Sequence, residues 1–319
     1  MSANRRLILA GGSGFLGGAL ARHFTALGCE IIVLTRRPHL RTDGVKEVAW
    51  NAQSLGNWEQ FLDGADAVIN LTGKSVDCRY TAKNRHEIIA SRVDSTRAIG
   101  EAIAHAVHPP RVWLNASSAT IYQHSFDTPM DESSPQGATP EAKDAFSIEV
   151  IERWERALNE AATPATRKVP LRITMVLGNA HNSVFPVLRR LTRLGLGGRM
   201  GSGRQFVSWI HQLDFCRALE WIIAHDELAG PVNLAAPHPL SNAGMMRLFR
   251  EISDMPFGLP ATEWMLEVGA FFLRTETELI LKSRRVVPGR LLASGFQFQF
   301  PELREALRNL EAERLCPPP

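Results

Sequence analysis

The chain has 319 residues, 45% of them hydrophobic, with 36 Lys and Arg against 33 Asp and Glu for a net charge of +3. That suffices for a sizeable core in one large domain, or in a large and a small one, and the charges are interspersed rather than blocked, which argues against a nucleic-acid partner. Cys29, Cys78, Cys216 and Cys316 are widely separated and form no CxxC pair, so neither a disulfide framework nor a metal site is expected, and no run reaches the roughly 20 apolar residues of a membrane span.

The amino terminus, MSANRRLILAGGSGFLGG, has a basic start and a short apolar run. That run enters a glycine-rich loop instead of a cleavage site, so the expected location is the cytoplasm. RLILA, EIIVLT, EVAW, DAVINLTG, RVWLNASS and LRITMVLG are short, β-branched and bounded by Gly, Pro or polar residues, and each predicts a buried strand. Helical spacing appears between them at 14–27, 82–107 and 146–162, the last with Phe146, Val150, Trp154 and Leu158 on one stripe. This alternation predicts an α/β fold, a doubly wound parallel sheet of the Rossmann type. After Gly178 the texture changes. GLGGRMGSGRQ is a basic, glycine-rich loop, PVNLAAPHPL reads as a last strand and turn, and beyond Ser241 helices and a short hairpin-like end are expected. The division expected is a nucleotide-binding domain over 1–178, with 205–236 returning to it, and a smaller carboxy-terminal substrate domain over 179–319.

Gly11, Gly14 and Gly17 lie in AGGSGFLGG, directly after the strand RLILA and before the helix that begins at Phe15. The first glycine permits the tight turn, the second lets backbone approach a diphosphate and the third lets helix pack on strand, while the helix N-terminus offers free N–H groups to the anion. An NAD site ends its second strand on a carboxylate for the ribose 2′-hydroxyl. Here that strand ends in LTRRP, where Arg36 and Arg37 match a 2′-phosphate, so the expected cofactor is NADP(H).

With that loop, INLTG at 69–73, NASSATIY at 115–122, LRITMVLG at 171–178 and RQFVSWIHQLDFCRA at 204–218, the chain resembles an extended short-chain dehydrogenase/reductase of the sugar-nucleotide epimerase type. SRVDSTR at 91–97, the WE pair at 154–155, GSGRQFVSWIHQLD at 201–214 and VVPGRLLASGFQFQFP narrow the resemblance to the atypical, epimerase-like subgroup labelled 39U. The resemblance implies that Gly11, Ser13, Gly14, Phe15, Leu16 and Gly17 hold the diphosphate and that Arg36 and Arg37 hold the 2′-phosphate. It implies that Leu71, Thr72 and Gly73 pass the adenosine ribose, that Asn51 lies by the adenine and that Arg172 lies near the nicotinamide. For INLTG and LRITMVLG a buried strand end is an equal reading of any one residue.

The wider superfamily works with a Ser or Thr at the end of the fifth strand, a Tyr, and a Lys four residues after the Tyr whose ammonium lowers the phenol's pKa. Ser118 matches the Ser. Aligned through the WE pair, the Tyr falls at Phe146 or Ser147 and the Lys at Val150 or Ile151, so both are missing, and the chain's two tyrosines are Tyr80 and Tyr122. Tyr122 remains as a replacement proton donor or a packing residue, and Glu149 as the surface partner of Arg153. Arg204, Gln205, Trp209 and His211 are expected to form a substrate wall or an interdomain hinge around a core Trp, with Asp214 as the N-cap of the helix that follows. Arg79, Arg85 and Arg92 place positive charge around the helix at 82–107, which fits a phosphorylated or acidic ligand and solvated arginines equally. The expected function is an NADP(H)-dependent oxidoreductase or epimerase acting on a small carbonyl or sugar-nucleotide substrate, with a non-catalytic NADPH-binding sensor as the alternative.

Overall fold

A computed structural model describes residues 5–181, 183–262, 264–265 and 282–315. Its centre is a seven-stranded sheet built from β1 (Arg6–Ala10), β2 (Glu30–Thr35), β3 (Lys46–Ala49), β4 (Ala67–Asn70), β5 (Val112–Ser118), β6 (Arg167–Ile173) and β10 (Val232–Leu234). The strand order is β10-β6-β5-β4-β1-β2-β3, and every adjacent pair is parallel. Parallel strands covered on both faces must be apolar on both, which is why RLILA and EIIVLT are continuous runs rather than alternating ones. The order reverses between β1 and β4, so their carboxyl ends open a crevice, the place where such sheets bind ligands.

Helix α1 (Phe15–Ala26) and α5 (Gln212–Ala224) cover one face, closing a core that includes Leu20, Phe24, Phe215 and Leu219. The other face is covered by α2 (Ala82–His105) and α3 (Ala145–Glu160), with Ile99, Ile103, Trp113 and Leu158 in the core beneath them. The stripe read on α3 is buried along its length, at Phe146, Val150, Trp154 and Leu158.

A second core lies beside the sheet. It joins β7 (Met175–Leu177), α4 (Val184–Leu191), β9 (Trp209–His211), α6 (Asn242–Ile252) and α8 (Leu303–Leu315) through Phe185, Trp209, Met246, Phe249, Leu307 and Leu310. The elements β8 (Phe206–Val207) and β11 (Leu240–Ser241) pair antiparallel at its margin.

Three details differ from the sequence reading. LRITMVLG is not one strand: β6 starts earlier, at Arg167, and after Thr174 the chain leaves the large sheet so that β7 pairs with β9. The expected hairpin-like end contains the short helix α7 (Gly289–Ala293) instead, whose Leu291 packs into the main core, and α8 follows it. Asp214 does not cap α5. His211 does, its Nδ1 accepting from Leu213 N at 3.1 Å, while the buried Asp214 carboxylate accepts from Gln299 N and Phe300 N, both at 2.8 Å. Strand β9 runs straight into α5, so the cap falls on the strand's last residue, and the acid one turn later is left to fasten the carboxy-terminal segment.

Candidate functional site

The crevice begins at the loop between β1 and α1. Gly11 has φ +72°, a conformation that disfavours any side chain, and a Cβ there would stand 3.0 Å from Thr72. A Cβ on Gly17 would stand 2.3 Å from Gly12 Cα, so α1 reaches β1 only because that position is glycine. Gly14 is different. A Cβ there would meet no neighbouring atom nearer than 3.9 Å, so nothing in the protein requires its bare backbone. Gly14 is also the N-cap of α1, without a capping side chain or an acidic residue in the first turn, and the first helical bond is Gly18 N to Gly14 O. The amides of Phe15, Leu16 and Gly17 therefore stay unsatisfied at the positive end of a helix dipole, an arrangement made for an anion. The side chains of Phe15 and Leu16 turn inward against the core, which leaves their backbone to face the crevice.

At the carboxyl end of β2, Arg36 and Arg37 are exposed, and neither pairs with a carboxylate among the described residues. The nearby Glu47 is already engaged by His39 and Arg41. Asn51 builds an Asx turn, accepting from Gln53 N and Ser54 N. Across the crevice Asn70 orders the loop after β4: its Nδ2 donates to Asn115 Oδ1 at 2.8 Å and its Oδ1 accepts from Thr72 N at 3.0 Å. Thr72 Oγ1 is buried with no partner. An orphaned hydroxyl beside Gly11, bare glycine backbone and two free guanidiniums fit a dinucleotide that carries a 2′-phosphate.

The other end of the crevice, at β5, β6 and α3, is organised otherwise. Arg172 is 2% exposed and bidentate to Glu155 at 3.0 Å to each oxygen, and Ser117 Oγ donates to the same carboxylate at 2.6 Å. Burial disfavours the Arg172 cation, but the Glu155 carboxylate outweighs it and its pKa goes up. Tyr122 has no exposed surface; its OH donates to Asn233 Oδ1 at 2.8 Å and accepts from Arg172 Nη1 at 3.0 Å. Burial pushes the phenol's pKa up. Of the two readings left open for each, the structure shows Tyr122 packed and hydrogen-bonded and Arg172 as half of a buried ion pair.

Ser147 and Ile151 occupy one turn of α3 beside the end of β5, and Ile151 packs with Tyr122, Met130, Ala235 and Val286. Phe146 and Val150 pack with Ile88. The places aligned with the superfamily's Tyr and Lys thus hold a hydroxyl or hydrocarbon. Ser118, half-buried at the end of β5, donates from Oγ to Thr120 Oγ1 at 3.0 Å and accepts from Thr120 N at 3.2 Å. Arg284 also donates to Thr120 Oγ1, and Lys282 donates to the Thr120 carbonyl at 2.8 Å and pairs with the buried Asp144. Sequence reasoning missed these two cations, which lie 164 and 162 positions from Thr120.

The proposed wall is largely core. Trp209 and Gln205 are each 1% exposed and His211 is 0% exposed. Trp209 belongs to the second hydrophobic cluster, Gln205 Nε2 donates to Met200 O at 2.8 Å, and His211 caps α5. Arg204 stays at the surface, its guanidinium 5.5 Å from the Phe126 ring centroid, beside a pocket of about 380 Å³ also lined by Arg199, Phe206 and Ser241. Among the described residues no group of His, Cys, Asp and Glu could hold a metal, and no helix is long and apolar enough to cross a membrane.

Comparison with known proteins agrees with this architecture. Residues 7–235 match the NAD dependent epimerase/dehydratase family, and residues 261–310 match a domain of unknown function, DUF1731. The epimerase family protein SDR39U1 of Bos taurus is 32% identical over 311 residues, 96% of this chain and 100% of the relative. The crystal structure of human SDR39U1 (isoform 2) with NADPH superposes with a TM-score of 0.84 at 29% identity, covering 96% of this chain and 99% of that one. A nucleoside-diphosphate sugar epimerase from Corynebacterium glutamicum superposes with a TM-score of 0.76 at 25% identity, covering 99% of this chain and 60% of that one. Glycine loop, switch-point crevice, full-length relatives and shared fold converge: the chain belongs to the NAD dependent epimerase/dehydratase family, on its SDR39U1-type branch.

Proposed function

We propose that the protein is an NADP(H)-dependent, epimerase-like short-chain dehydrogenase/reductase, an oxidoreductase or epimerase for a small carbonyl or sugar-nucleotide substrate, working without a Tyr-Lys pair. The observation that carries the cofactor choice is the pair of exposed guanidiniums at the end of β2, Arg36 and Arg37, without a carboxylate partner among the described residues and at the same carboxyl edge of the sheet as the open amides of α1. In this reading the backbone from Gly11 to Gly17 holds the diphosphate, Arg36 and Arg37 hold the 2′-phosphate, and Leu71, Thr72 and Gly73 pass the ribose. When bound, the cofactor supplies hydride chemistry. Ser118 sets a hydroxyl at the carboxyl end of β5, next to Thr120, whose hydroxyl accepts from Arg284, and serves as a hydrogen-bond donor to an oxygen that gains negative charge.

Titration of the protein with NADPH and NADH tests the cofactor choice. Charge-assisted contacts of about 1.5 to 3 kcal/mol predict at least roughly tenfold tighter NADPH; equal affinities, or tighter NADH, would remove the reading. The hydrocarbon at Ile151 favours a second reading, a sensor that binds NADPH and never turns it over. A panel of carbonyl compounds and sugar nucleotides, followed at the nicotinamide absorbance, separates the two: turnover identifies the enzyme, and cofactor-dependent partner affinity without turnover identifies the sensor.

A further inference from the structure

A partly buried charged group beside the crevice has no counter-ion among the described residues. Arg92, half-buried on α2, donates from Nη1 to Lys74 O and Ile88 O, both at 3.0 Å. Its Nε and Nη2 make no hydrogen bond, and no carboxylate lies within ion-pair distance among the described residues. The acid on the preceding turn, Glu87, is taken by Lys74. The guanidinium carbon lies 5.0 Å from the Trp154 ring centroid on α3, and the group lies flat against Gly73, where a Cβ would come within 3.1 Å of it. Burial pulls the Arg92 pKa down to about 10, the mark of a cation the surroundings do not compensate.

Proteins rarely leave a dry guanidinium without an acid, because the desolvation then goes unanswered. The edge left open matters. Nε and Nη2 present two parallel N–H groups, the fork that binds a carboxylate or phosphate bidentately. The Gly73 N–H beside it has no hydrogen bond among the described residues either. Both groups sit at the loop after β4, on the wall of the switch-point crevice and next to the helix that lacks the Tyr and Lys.

We propose that Arg92 is an oxyanion anchor, its Nε/Nη2 edge receiving a carboxylate or phosphate group of the molecule bound in the crevice. This assignment builds on the ligand crevice proposed above and adds a substrate class to it: the substrate is an anion whose acidic group lies over Gly73. A cofactor diphosphate shares the same chemistry, and the experiment separates the two sources.

The full chain is melted at constant ionic strength with chloride exchanged for about 20 mM inorganic phosphate, with and without saturating NADPH, as wild type and as Arg92→Gln. A millimolar site at Arg92 predicts a rise in Tm about 2 °C larger in the wild type than in the variant, which keeps the glycine loop, Arg36 and Arg37 as anion sites. If the oxyanion is the substrate's, the wild-type rise persists under saturating NADPH, and Arg92→Gln binds NADPH within about twofold of the wild type. If it is the cofactor's, the rise vanishes under NADPH and the variant loses roughly tenfold in NADPH affinity. Identical phosphate response and identical NADPH affinity in the two proteins overturn the anchor. Arg92→Lys, which keeps the charge without the fork, replaces the Gln variant if that one does not fold, with a reduced rise expected and an unchanged one overturning the proposal. Should the wild type bind no NADPH, the cofactor reading fails by itself, and the phosphate comparison repeated on an Arg36→Ala/Arg37→Ala background still decides on Arg92.

Discussion

The two ends of the crevice are built on opposite plans. At the glycine-loop end the polar groups are left open: unsatisfied amides on α1, two free guanidiniums after β2 and an orphaned hydroxyl on Thr72. At the β5–β6 end they are closed on one another, Arg172 on Glu155, Tyr122 on Asn233 and Lys282 on Asp144. Open groups bind what arrives from outside, and closed ones hold the scaffold that keeps them in place. The same residue types therefore have to be read by what already satisfies them, and the contrast can be tested from its strongest consequence downward.

The strongest is Glu155→Ala. It would strand the Arg172 cation at 2% exposure, and a buried pair broken on one side costs about 3 to 5 kcal/mol. The urea midpoint should fall accordingly, while any cofactor affinity measured below the transition stays near that of the wild type. A loss of affinity without a loss of stability would instead make Glu155 and Arg172 part of the binding surface and dissolve the contrast.

That contrast also marks how far the sequence could be read. The strands, the helices α1 to α3, the glycine loop and the two arginines lie in contiguous stretches, where periodicity and neighbouring residues carry the signal. The absence of Tyr and Lys from α3 was legible for the same reason. The partners of Arg172, Tyr122 and Thr120 were not, because they lie 17, 111 and 164 positions away and become neighbours only through the sheet order. Trp209 and His211 misled because an aromatic and a histidine in a polar, glycine-rich loop look like ligand contacts. Strand β9 carries both into the second core instead. Arg92 was legible only together with Arg79 and Arg85, as charge open equally to an acidic ligand or to solvent, since nothing in SRVDSTR tells which guanidinium finds an acid.

His211 gives the next consequence, through pH. Burial lowers its pKa to about 4, and its Nδ1 must stay unprotonated to accept from Leu213 N. A base whose pKa is depressed on folding contributes stability that is complete above the unfolded value near 6.5 and is lost as pH falls towards the folded value. The wild type should therefore lose up to about 3 kcal/mol between pH 6.5 and 4 through this group alone. His211→Asn, which can still cap the helix, should flatten that part of the profile; an unchanged acid limb in chemical denaturation would show that the cap is not what the proton disrupts.

At the open end, Arg36→Ala should weaken NADPH by roughly tenfold or more and leave both NADH affinity and Tm nearly unchanged, since the side chain is exposed and has no partner among the described residues. A fall in stability would mean that the guanidinium is already in use.

The smallest effect is the sharpest control, because it lies on the same helix as the largest. Glu149 pairs with Arg153 at 2.7 Å, a shorter contact than either of the Glu155 bonds to Arg172. Distance alone would rank it first. Its side chain, however, is 44% exposed and its partner's 53%, against 12% and 3% for Glu155 and Arg172. Water solvates either charge as well as the partner does, so Glu149→Ala should cost no more than about 0.5 kcal/mol, a figure that salt reduces further. The two alanine variants, melted side by side, hold residue type, helix and partner type constant and vary burial together with the further bonds that burial has gathered on Glu155, from Ser117 and the second Arg172 nitrogen. If they lost similar stability, burial would not be what divides the closed end of the crevice from the open one, and the reading of Arg92 as a cation awaiting its acid would lose its physical basis.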